Sequence, residues 1–455
     1  MQWRQEVKEY MEVYCSGRIE NPAGPKVDRL IRRMVGPLTG LDKTISYSLH
    51  DPGSPHLYIV VAQLTAVHRM IGLGHPLSYH LGGYGVTREE AFMRALGETV
   101  ERYAHMVYLL ENGGSIQFAR QRDLAKQNAG VWNPEDSQFY DQEQISRPAF
   151  PFRSYSSDHP LGWVEVLDLT SGKPVLAPAQ LLVVGYMLRV DEGEKRLNMA
   201  VTTGTAAHTD PEKALTSAVL ELIQMDTAMG YWYSDRTAPA IVLDDRMCLL
   251  QTILTDTATQ NAYEIRFHYL SSPDFPVHVV ACILLNRHAE IPACAVGIAC
   301  DFGLQMACYK AFLEASAIPH LALIGIMRSP QLEKIDPFKI TDLDTNVVYY
   351  AHPENRATLE KQFPRETTVR AAELPRFSKS FREGLRSVLN VFRDAAMPLY
   401  FIDLTTRDIR DLGFCVYRVF SPDLLTLCFP SFPAKAHRRF VAYGGVKHEH
   451  PHPYP

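Results

Sequence analysis

The chain of 455 residues is long enough for one large domain or two ordinary ones, and its 46% hydrophobic and 21% charged residues exclude a disordered protein. A net charge of −5 gives no sign of the basic surface that nucleic-acid-binding proteins carry. No uninterrupted apolar run is long enough to span a bilayer, and the charged start MQWRQEVKEYMEVY is unlike a signal peptide, so we expect a cytoplasmic protein without membrane contact. The 8 cysteines form no C-x-x-C pair, which argues against structural zinc and against a disulfide framework.

Four apolar stretches predict buried or half-buried strands, because each is rich in aliphatic residues and bounded by glycine, proline or polar residues. They are LYIVVAQL from Leu57, VEVLDL from Val164, PVLAPAQLLVVGY from Pro174 and PVHVVACILL from Pro276. Helical patterns lie between and after them. Two segments rich in polar residues and proline, about 113–163 and 327–376, predict surface insertions. We therefore expect an α+β fold with an N-terminal segment, 1–50, and one large domain, 51–455, that ends in a proline-rich tail.

A degenerate internal repeat joins two predicted helices far apart in the chain. TREEAFMRALGETVERYA starts at Thr87 and TDPEKALTSAVLELIQMD starts at Thr209, and a gapless alignment places Glu98 on Glu221. The first segment opens with a capping box, and the second opens with an aspartate N-cap followed by proline. Two similar helices at separate places predict a pseudo-symmetric core whose halves face each other.

One face of the first predicted helix is polar. It carries Glu90, Arg94, Glu98, Glu101, Arg102 and His105 at i, i+3 and i+4 spacing. Two carboxylates one turn apart beside an arginine suit a magnesium–phosphate site, because Mg²⁺ is commonly held by one or two carboxylates plus substrate phosphates, and arginine binds phosphate oxygens. The corresponding face of the second helix carries Lys213, Ser217, Glu221 and Gln224. A third segment, ACYKAFLEASAIPHL, places Lys310 and Glu314 four residues apart.

The alternative for these helices is a solvated face with i, i+4 ion pairs, which helix statistics alone favour. The repeated acidic position among apolar residues favours the site instead. No Walker A sequence, G-x-S-x-G elbow or H-E-x-x-H motif occurs in the chain. LGGYGV, from Leu81, lacks the third glycine of a dinucleotide fingerprint and predicts a turn ahead of the helix at Thr87.

These stretches resemble the ATP-site motifs of the YcaO family. GGYGVTREEA followed by ALGETVERY is similar to the first motif, which ends in E-x-x-E-R. TTGTAAHTDPEKA followed by ELIQMD is similar to the second, E-x-x-E-R-D, and KAFLEA is similar to the third, E-x-x-x-R. The end P-H-P-Y-P resembles the P-x-P-x-P terminus of azoline-forming members of the microcin and streptolysin type. The resemblance runs from about His50 to the end, and it implies a YcaO-type ATP-binding fold with mixed sheets flanked by helices.

The resemblance also implies roles for individual residues. The implied ATP-binding residues are Glu98, Glu101, Arg102, Ser217, Glu221, Gln224 and Glu314. Four of them would hold Mg²⁺, namely Glu98, Glu101, Glu221 and Glu314. Arg102 would contact phosphate, and the carboxylate of Pro455 would act as the catalytic base.

Several positions depart from the family pattern. Arg94 stands where a serine is usual. Gln224 and Met225 replace the glutamate and arginine of the second motif, and Ile318 replaces the arginine of the third. An amide can coordinate Mg²⁺ but brings no charge, and methionine offers phosphate nothing. Gln224, Met225 and Ile318 support the alternative of a non-catalytic scaffold that only docks a partner, whereas the intact first motif and the tail oppose it.

The function that the resemblance implies is that of an ATP-dependent cyclodehydratase subunit. With ATP and Mg²⁺ it would phosphorylate a backbone amide oxygen, and so convert Cys, Ser or Thr of a ribosomal precursor peptide into thiazoline or oxazoline. The implied partners are an E1-like C protein that binds the leader peptide, the precursor itself and a second copy in a homodimer. Whether a flavin-dependent azoline dehydrogenase follows is open. A thioamide- or macroamidine-forming YcaO enzyme is a further alternative, which the P-x-P-x-P end disfavours.

Overall fold

The computed structural model describes most of the chain. The described residues are 24–47, 53–70, 72, 81–126, 130–136, 138–234, 236–257, 262–328, 335–377 and 380–454. The predicted N-terminal segment is thus described only over 24–47, and Pro455 lies outside the described residues.

The α-helices of these ranges are α1 (Gly24–Met34), α2 (Val67–Met70), α3 (Arg88–Asn112), α4 (Gln121–Ala125), α5 (Gln142–Ile145), α6 (Ala179–Leu182), α7 (Pro211–Tyr233), α8 (Cys248–Thr257), α9 (Leu304–Arg328), α10 (Leu343–Ala351), α11 (Arg356–Gln362), α12 (Phe381–Asp394) and α13 (Arg407–Asp411). The strands are β1 (Asp42–Tyr47), β2 (Tyr58–Leu64), β3 (Leu81–Gly85), β4 (Gln117–Arg120), β5 (Pro160–Asp168), β6 (Lys173–Pro178), β7 (Thr205–His208), β8 (Ala240–Val242), β9 (Tyr263–Leu270), β10 (His278–Asn286), β11 (Cys294–Asp301), β12 (Thr368–Arg370), β13 (Tyr400–Asp403) and β14 (Cys415–Phe420).

The strands form three sheets. One has the order β1-β2-β3, and the second has the order β11-β10-β9-β8-β12. The third runs β4-β5-β13-β14-β7, with β6 paired to β5. Neighbouring strands are antiparallel, apart from β8 and β12, which are parallel. The predicted α+β class with mixed sheets flanked by helices is confirmed.

Three of the four predicted strands are confirmed, since β2, β5 and β10 cover the stretches from Leu57, Val164 and Pro276. The fourth prediction is only partly correct. The strand from Pro174 ends at Pro178, where the helical turn α6 begins. Pro178 is the last residue paired to β5 and also the residue that caps α6, so the backbone turns into the helix there although the apolar run continues.

The two predicted helix starts are confirmed. The hydroxyl of Thr87 accepts from the backbone N–H of Glu90 at 3.3 Å, and a carboxylate oxygen of Asp210 accepts from the N–H of Glu212 at 2.9 Å. The predicted capping box needs one correction, because the Glu90 carboxylate accepts from the N–H of Val86. Each of the long helices α3, α7 and α9 follows a strand directly, so the repeated strand–helix unit occurs three times.

The turn predicted for LGGYGV is wrong, because this stretch forms β3. Its glycine allows the strand to lie directly against α3, since a Cβ atom at Gly83 would stand 1.9 Å from the carbonyl oxygen of Ala91. On β11 a Cβ atom at Gly297 would stand 2.2 Å from the backbone nitrogen of Ala315 on α9. Two of the three strand–helix units are therefore packed at a distance that only glycine permits.

The two segments predicted as surface insertions are folded parts of the molecule. β4 and the start of β5 lie within 113–163, while 327–376 contains α10, α11 and β12. The first segment also has a small aromatic core, in which Tyr140 and Phe152 stack with centroids 4.7 Å apart. The domain boundaries inferred from the sequence stay a prediction.

The apolar helix α9 is long and apolar enough to cross a membrane by length and composition, and half of its most apolar stretch is buried inside the protein. Core helices and membrane spans share these properties, so length and composition do not distinguish between the two. In this fold α9 packs on the sheet that ends in β11, and its buried side chains include Phe312 and Leu313.

A buried carboxylate at the start of β1 gives a prediction on stability. Asp42 is fully buried, and its carboxylate accepts from the Thr99 hydroxyl at 2.8 Å. Burial raises the pKa of Asp42 to about 7, against which the Thr99 hydrogen bond acts weakly. The folded state therefore binds a proton that the unfolded state releases, so this group lowers stability as pH rises from about 4 to 7.

Replacing Asp42 by Asn removes this titration. We compare the free energy of unfolding of Asp42→Asn with that of the native protein at each pH. We expect the variant's value minus the native value to increase by up to ~4 kcal/mol as the pH rises from about 4 to about 7. Urea unfolding of both proteins across this range checks the prediction. A difference between the two that does not change with pH would contradict it.

Candidate active site

Four carboxylates on three helices face one region of the molecule. Glu98 and Glu101 lie on α3, Glu221 lies on α7 and Glu314 lies on α9. Burial raises the pKa of Glu101 well above its usual range, that of Glu221 to about 8 and that of Glu314 to about 7. The negative charge of Glu98 adds to the pKa increase of each of the other three, which places Glu98 near the centre of this carboxylate cluster.

Arg102 is the cation at the centre of the cluster. One guanidinium nitrogen lies 2.5 Å from the Glu98 carboxylate, and another lies 2.6 Å from that of Glu101. The side chains of these three residues are between 13% and 28% exposed, so they are partly shielded but open to a ligand. The positive charge of Arg102 also lowers the pKa of Glu221, against the effect of burial. Arg102 of α3 therefore interacts electrostatically with a carboxylate on α7.

Gln224 lies at the edge of a sheet and does not point to solvent. Its carboxamide oxygen accepts from the backbone N–H of Cys300 at 3.0 Å, and the Glu314 carboxylate accepts from that of Ile298 at 2.9 Å. Both N–H groups belong to β11, the terminal strand of its sheet, so the two side chains satisfy edge donors that no strand covers. This arrangement gives Gln224 a structural task, and its predicted role in ATP binding stays a prediction.

Two further departures from the family pattern, Met225 and Ile318, are buried. Met225 is 7% exposed and Ile318 is also 7% exposed, and both belong to apolar clusters. Neither presents a polar group to the carboxylates. Ser217 lies on the exposed part of α7, one turn before Glu221, and its predicted role in ATP binding stays a prediction.

The sequence interpretation missed a buried arginine beside the carboxylates. Arg418 lies on β14, is 1% exposed and donates to the hydroxyl of Thr205 at 3.0 Å, which His105 of α3 also contacts at 3.1 Å. Burial lowers the pKa of Arg418 to about 10, and the charges of Glu221 and Glu101 act against this decrease. Arg418 therefore supplies positive charge to the half of the site where Met225 supplies none.

Two more polar residues adjoin the cluster. Tyr84 on β3 is half-buried, and burial raises the pKa of its phenol, to which the nearby charges of Glu98 and Glu314 add. Lys310, one turn before Glu314 on α9, lies 2.7 Å from the buried carboxylate of Asp301. The spacing of Lys310 to Glu314 was a signal in the sequence, and Tyr84 lies in the stretch GGYGVTREEA that resembles the first motif, although no role was predicted for it.

Glu90 and Arg94, which share the polar helix face, have a different task. The Glu90 carboxylate is fully buried, accepts from the Tyr309 hydroxyl at 2.6 Å and lies 3.0 Å from Arg94. Because Tyr309 belongs to α9, this contact fastens α3 to α9. It fixes the relative position of the two helices that carry Glu98 and Glu314.

The chemistry of the cluster fits Mg²⁺ and a nucleotide. Within the described ranges, no three Asp, Glu, His or Cys side chains converge closely enough to hold a metal ion by themselves. Mg²⁺ commonly takes one or two protein carboxylates and completes its shell with phosphate oxygens and water, so this spacing suits a metal that arrives with phosphates. Burial and, to a smaller extent, mutual repulsion raise the pKa of these carboxylates, and a bound cation offsets both effects. The Arg102 guanidinium can bind phosphate oxygens.

The proline-rich tail is anchored along its length. Three side chains donate to successive carbonyl oxygens: Trp232 to His450 at 2.9 Å, Tyr350 to Pro451 and Asn346 to His452 at 2.6 Å. Proline carries no N–H, so carbonyl oxygens are the backbone groups by which such a segment is held. The Tyr454 side chain is fully buried in the main apolar cluster. The tail is therefore fixed as far as the residue before Pro455.

A family model described as YcaO cyclodehydratase, ATP- and Mg²⁺-binding, matches residues 82–425, which is more than half of the chain. The chain belongs to the YcaO family. The resemblance seen in the sequence is thus confirmed, and so are ATP and Mg²⁺ as the cofactors. Their binding at the carboxylate cluster stays a prediction. A search of curated proteins finds no match.

Solved structures share the YcaO fold at low sequence identity. A heterocyclase in complex with substrate and cofactor is 17% identical with a TM-score of 0.71, over 96% of this chain and 57% of that one. YcaO from Methanopyrus kandleri, bound with AMPPCP and Mg²⁺, is 19% identical with a TM-score of 0.57, over 90% of this chain and 89% of that one. A chain of the Escherichia coli microcin synthetase McbBCD complex is 14% identical with a TM-score of 0.59, over 93% of this chain and 99% of that one. The present chain thus spans a little over half the length of the heterocyclase.

Proposed function

We propose that this YcaO protein is the ATP-using subunit of a peptide cyclodehydratase, which converts Cys, Ser or Thr of a ribosomal precursor peptide into thiazoline or oxazoline. The observation that carries the proposal is the carboxylate cluster on α3, α7 and α9 with Arg102 at its centre. Three helices that each follow a strand bring charged groups from distant parts of the chain to one place, as a site for a magnesium nucleotide requires.

The reaction needs a way to remove the oxygen of a backbone amide. The thiol or hydroxyl of the substrate residue adds to the preceding carbonyl carbon, but loss of that oxygen as water is unfavourable. Bound ATP supplies a phosphoryl group that turns the oxygen into a phosphate leaving group, so that one peptide and one ATP yield one azoline, ADP and phosphate. Arg102 would balance the negative charge that develops on the phosphoryl oxygens. The four glutamates would hold Mg²⁺ together with the phosphate oxygens, with one or two carboxylates to an ion.

A base must take a proton from the nucleophile or the amide nitrogen, and the carboxylate of Pro455 is our candidate. Support for this comes from the preceding residues, whose carbonyls are held by Trp232, Tyr350 and Asn346. A base acts well only when it stands within hydrogen-bond reach of its proton, and an anchored segment keeps its end in one place.

We propose that the protein acts with an E1-like C protein that binds the leader of the precursor, in the cytoplasm, and that it forms a homodimer. A flavin-dependent dehydrogenase that oxidises the rings is an optional third component. The McbBCD microcin synthetase, one chain of which is matched over 99% of its length, is a multi-protein complex and has been seen with pro-MccB17 bound.

This proposal predicts a dependence on the partner. The isolated chain should cyclise little or no peptide, and addition of the C protein should give ADP together with loss of one water from the peptide for each ring. Mass spectrometry of the precursor and an ADP assay check both results. Leader-dependent cyclisation by the isolated chain would refute the need for a partner, and ATP turnover without any loss of water would refute the cyclodehydratase function.

A further inference from the structure

A carboxylate just before the proline-rich tail is held by two cations from elsewhere in the chain. The Glu449 carboxylate accepts from two guanidinium nitrogens of Arg147, at 2.6 and 2.9 Å, and from the Lys435 ammonium at 2.8 Å. The side chains of Glu449 and Lys435 are only 21% and 18% exposed, so this is not an ordinary surface ion pair. A two-pronged arginine–carboxylate contact also fixes direction, because both oxygens must meet both nitrogens.

The cations are themselves well anchored. Arg147 follows α5, and the Gln144 side chain of that helix donates to the carbonyl of Pro433 at 2.8 Å. Phe150 and Phe152 pack on Phe432 with ring centroids 5.6 and 5.7 Å away. The segment 139–152 is therefore docked against the segment 432–437, which carries Lys435. These two segments form a rigid base for Glu449.

Beyond Glu449 the tail is held through carbonyl oxygens from His450 to His452, and through the buried side chains of His452 and Tyr454. The carbonyl contacts alone would allow a shift by one step, because every residue of an extended chain offers a carbonyl, so side chains at single positions must fix the register. We propose that Arg147, Lys435 and Glu449 form an electrostatic clamp that fixes this register at the start of the tail. Through this clamp the inserted segment 139–152 acts as a positioning element for the end of the chain. The inference rests on the proposed function of the tail and extends it to residues far from it in sequence.

Charge reversal tests the clamp. Glu449→Arg places a third cation against Arg147 and Lys435, and Arg147→Glu combined with Glu449→Arg restores one opposite pair. Arg122→Glu is the matched control, because Arg122 pairs with Asp158 within the segment 113–163, and this ion pair does not involve the tail as far as the structure describes it. Hydrogen exchange of the peptide 444–455, followed by mass spectrometry, reports on the tail without any substrate.

We expect faster exchange of this peptide in Glu449→Arg, native exchange in Arg122→Glu and recovery in the double variant. With the C protein and precursor peptide present, kcat for cyclisation should fall about tenfold in Glu449→Arg, with KM for ATP unchanged. A clamp that only stabilised the fold would lower ATP binding and thermal stability together with cyclisation, and that result would overturn the proposal.

A further variant distinguishes failure of the clamp proposal from failure of the proposed role of the tail. A glycine added after Pro455 misplaces the end without touching the clamp. If Glu449→Arg cyclised peptide at the native rate while the extended protein did not, the clamp would be refuted and the role of the tail would stand. If both variants cyclised at the native rate, the catalytic role of the tail would fall and the clamp with it.

Discussion

Adding one glycine after Pro455 is expected to lower the rate of cyclisation on the order of 100-fold while ATP binding stays intact. The physical reason is position. The added residue moves the terminal carboxylate by roughly 3 Å, which is more than a general base can tolerate. The preceding residues cannot adjust, because Tyr454 is fully buried and three side chains hold the carbonyls before it.

The control for this experiment is Pro455→Ala, which keeps the carboxylate at the same chain position and should cost much less. Deleting Tyr454 and Pro455 together should be at least as harmful as the extension. ATP binding should survive in all three variants, since the carboxylate cluster lies on α3, α7 and α9. If the extended protein cyclised peptide at the native rate, the catalytic role of Pro455 would have to be abandoned.

The second large effect concerns the metal site. Glu98→Gln and Glu101→Gln should each abolish ATP turnover, because each removes one of the charges that would hold Mg²⁺ and leaves Arg102 with one carboxylate in place of two. The fold should survive, since glutamine has nearly the same shape and both side chains are partly exposed at 28% and 13%. Thermal unfolding and an ADP assay on the same samples measure both parts.

Glu111→Gln is the matched control on the same helix, since Glu111 is exposed at the far end of α3 and lies outside the cluster. It should turn over ATP at the native rate. Undiminished hydrolysis of ATP in both Glu98→Gln and Glu101→Gln would refute the assignment of this magnesium site, independently of the role of the tail.

The sequence predicted those parts of the site that follow from helical spacing. Glu98, Glu101 and Arg102 lie close together on α3, and the gapless repeat pointed to Glu221 on α7. The helix starts at Thr87 and Asp210 followed from capping, which is a local interaction. Patterns of this kind depend only on neighbours in the chain.

The parts that were missed depend on tertiary contacts. Arg418 reaches the carboxylates because β14 pairs with β7, which leads into α7, and no spacing in the sequence reveals this pairing. The oxygen of Gln224 binds the edge of β11, which cannot be known before the sheet order is known. The stretch LGGYGV forms a strand because Gly83 meets Ala91 of the helix that follows it, a contact that turn statistics do not contain.

The most direct test of the central proposal follows the oxygen of the amide. A precursor peptide is prepared with a heavy oxygen isotope in the carbonyl that precedes one cyclised residue, and it is incubated with this protein, the C protein, ATP and Mg²⁺. Phosphorylation of the amide oxygen predicts that the label appears in inorganic phosphate, with one labelled phosphate for each ring formed. Ring formation in which the label leaves as water, with unlabelled phosphate, would contradict it.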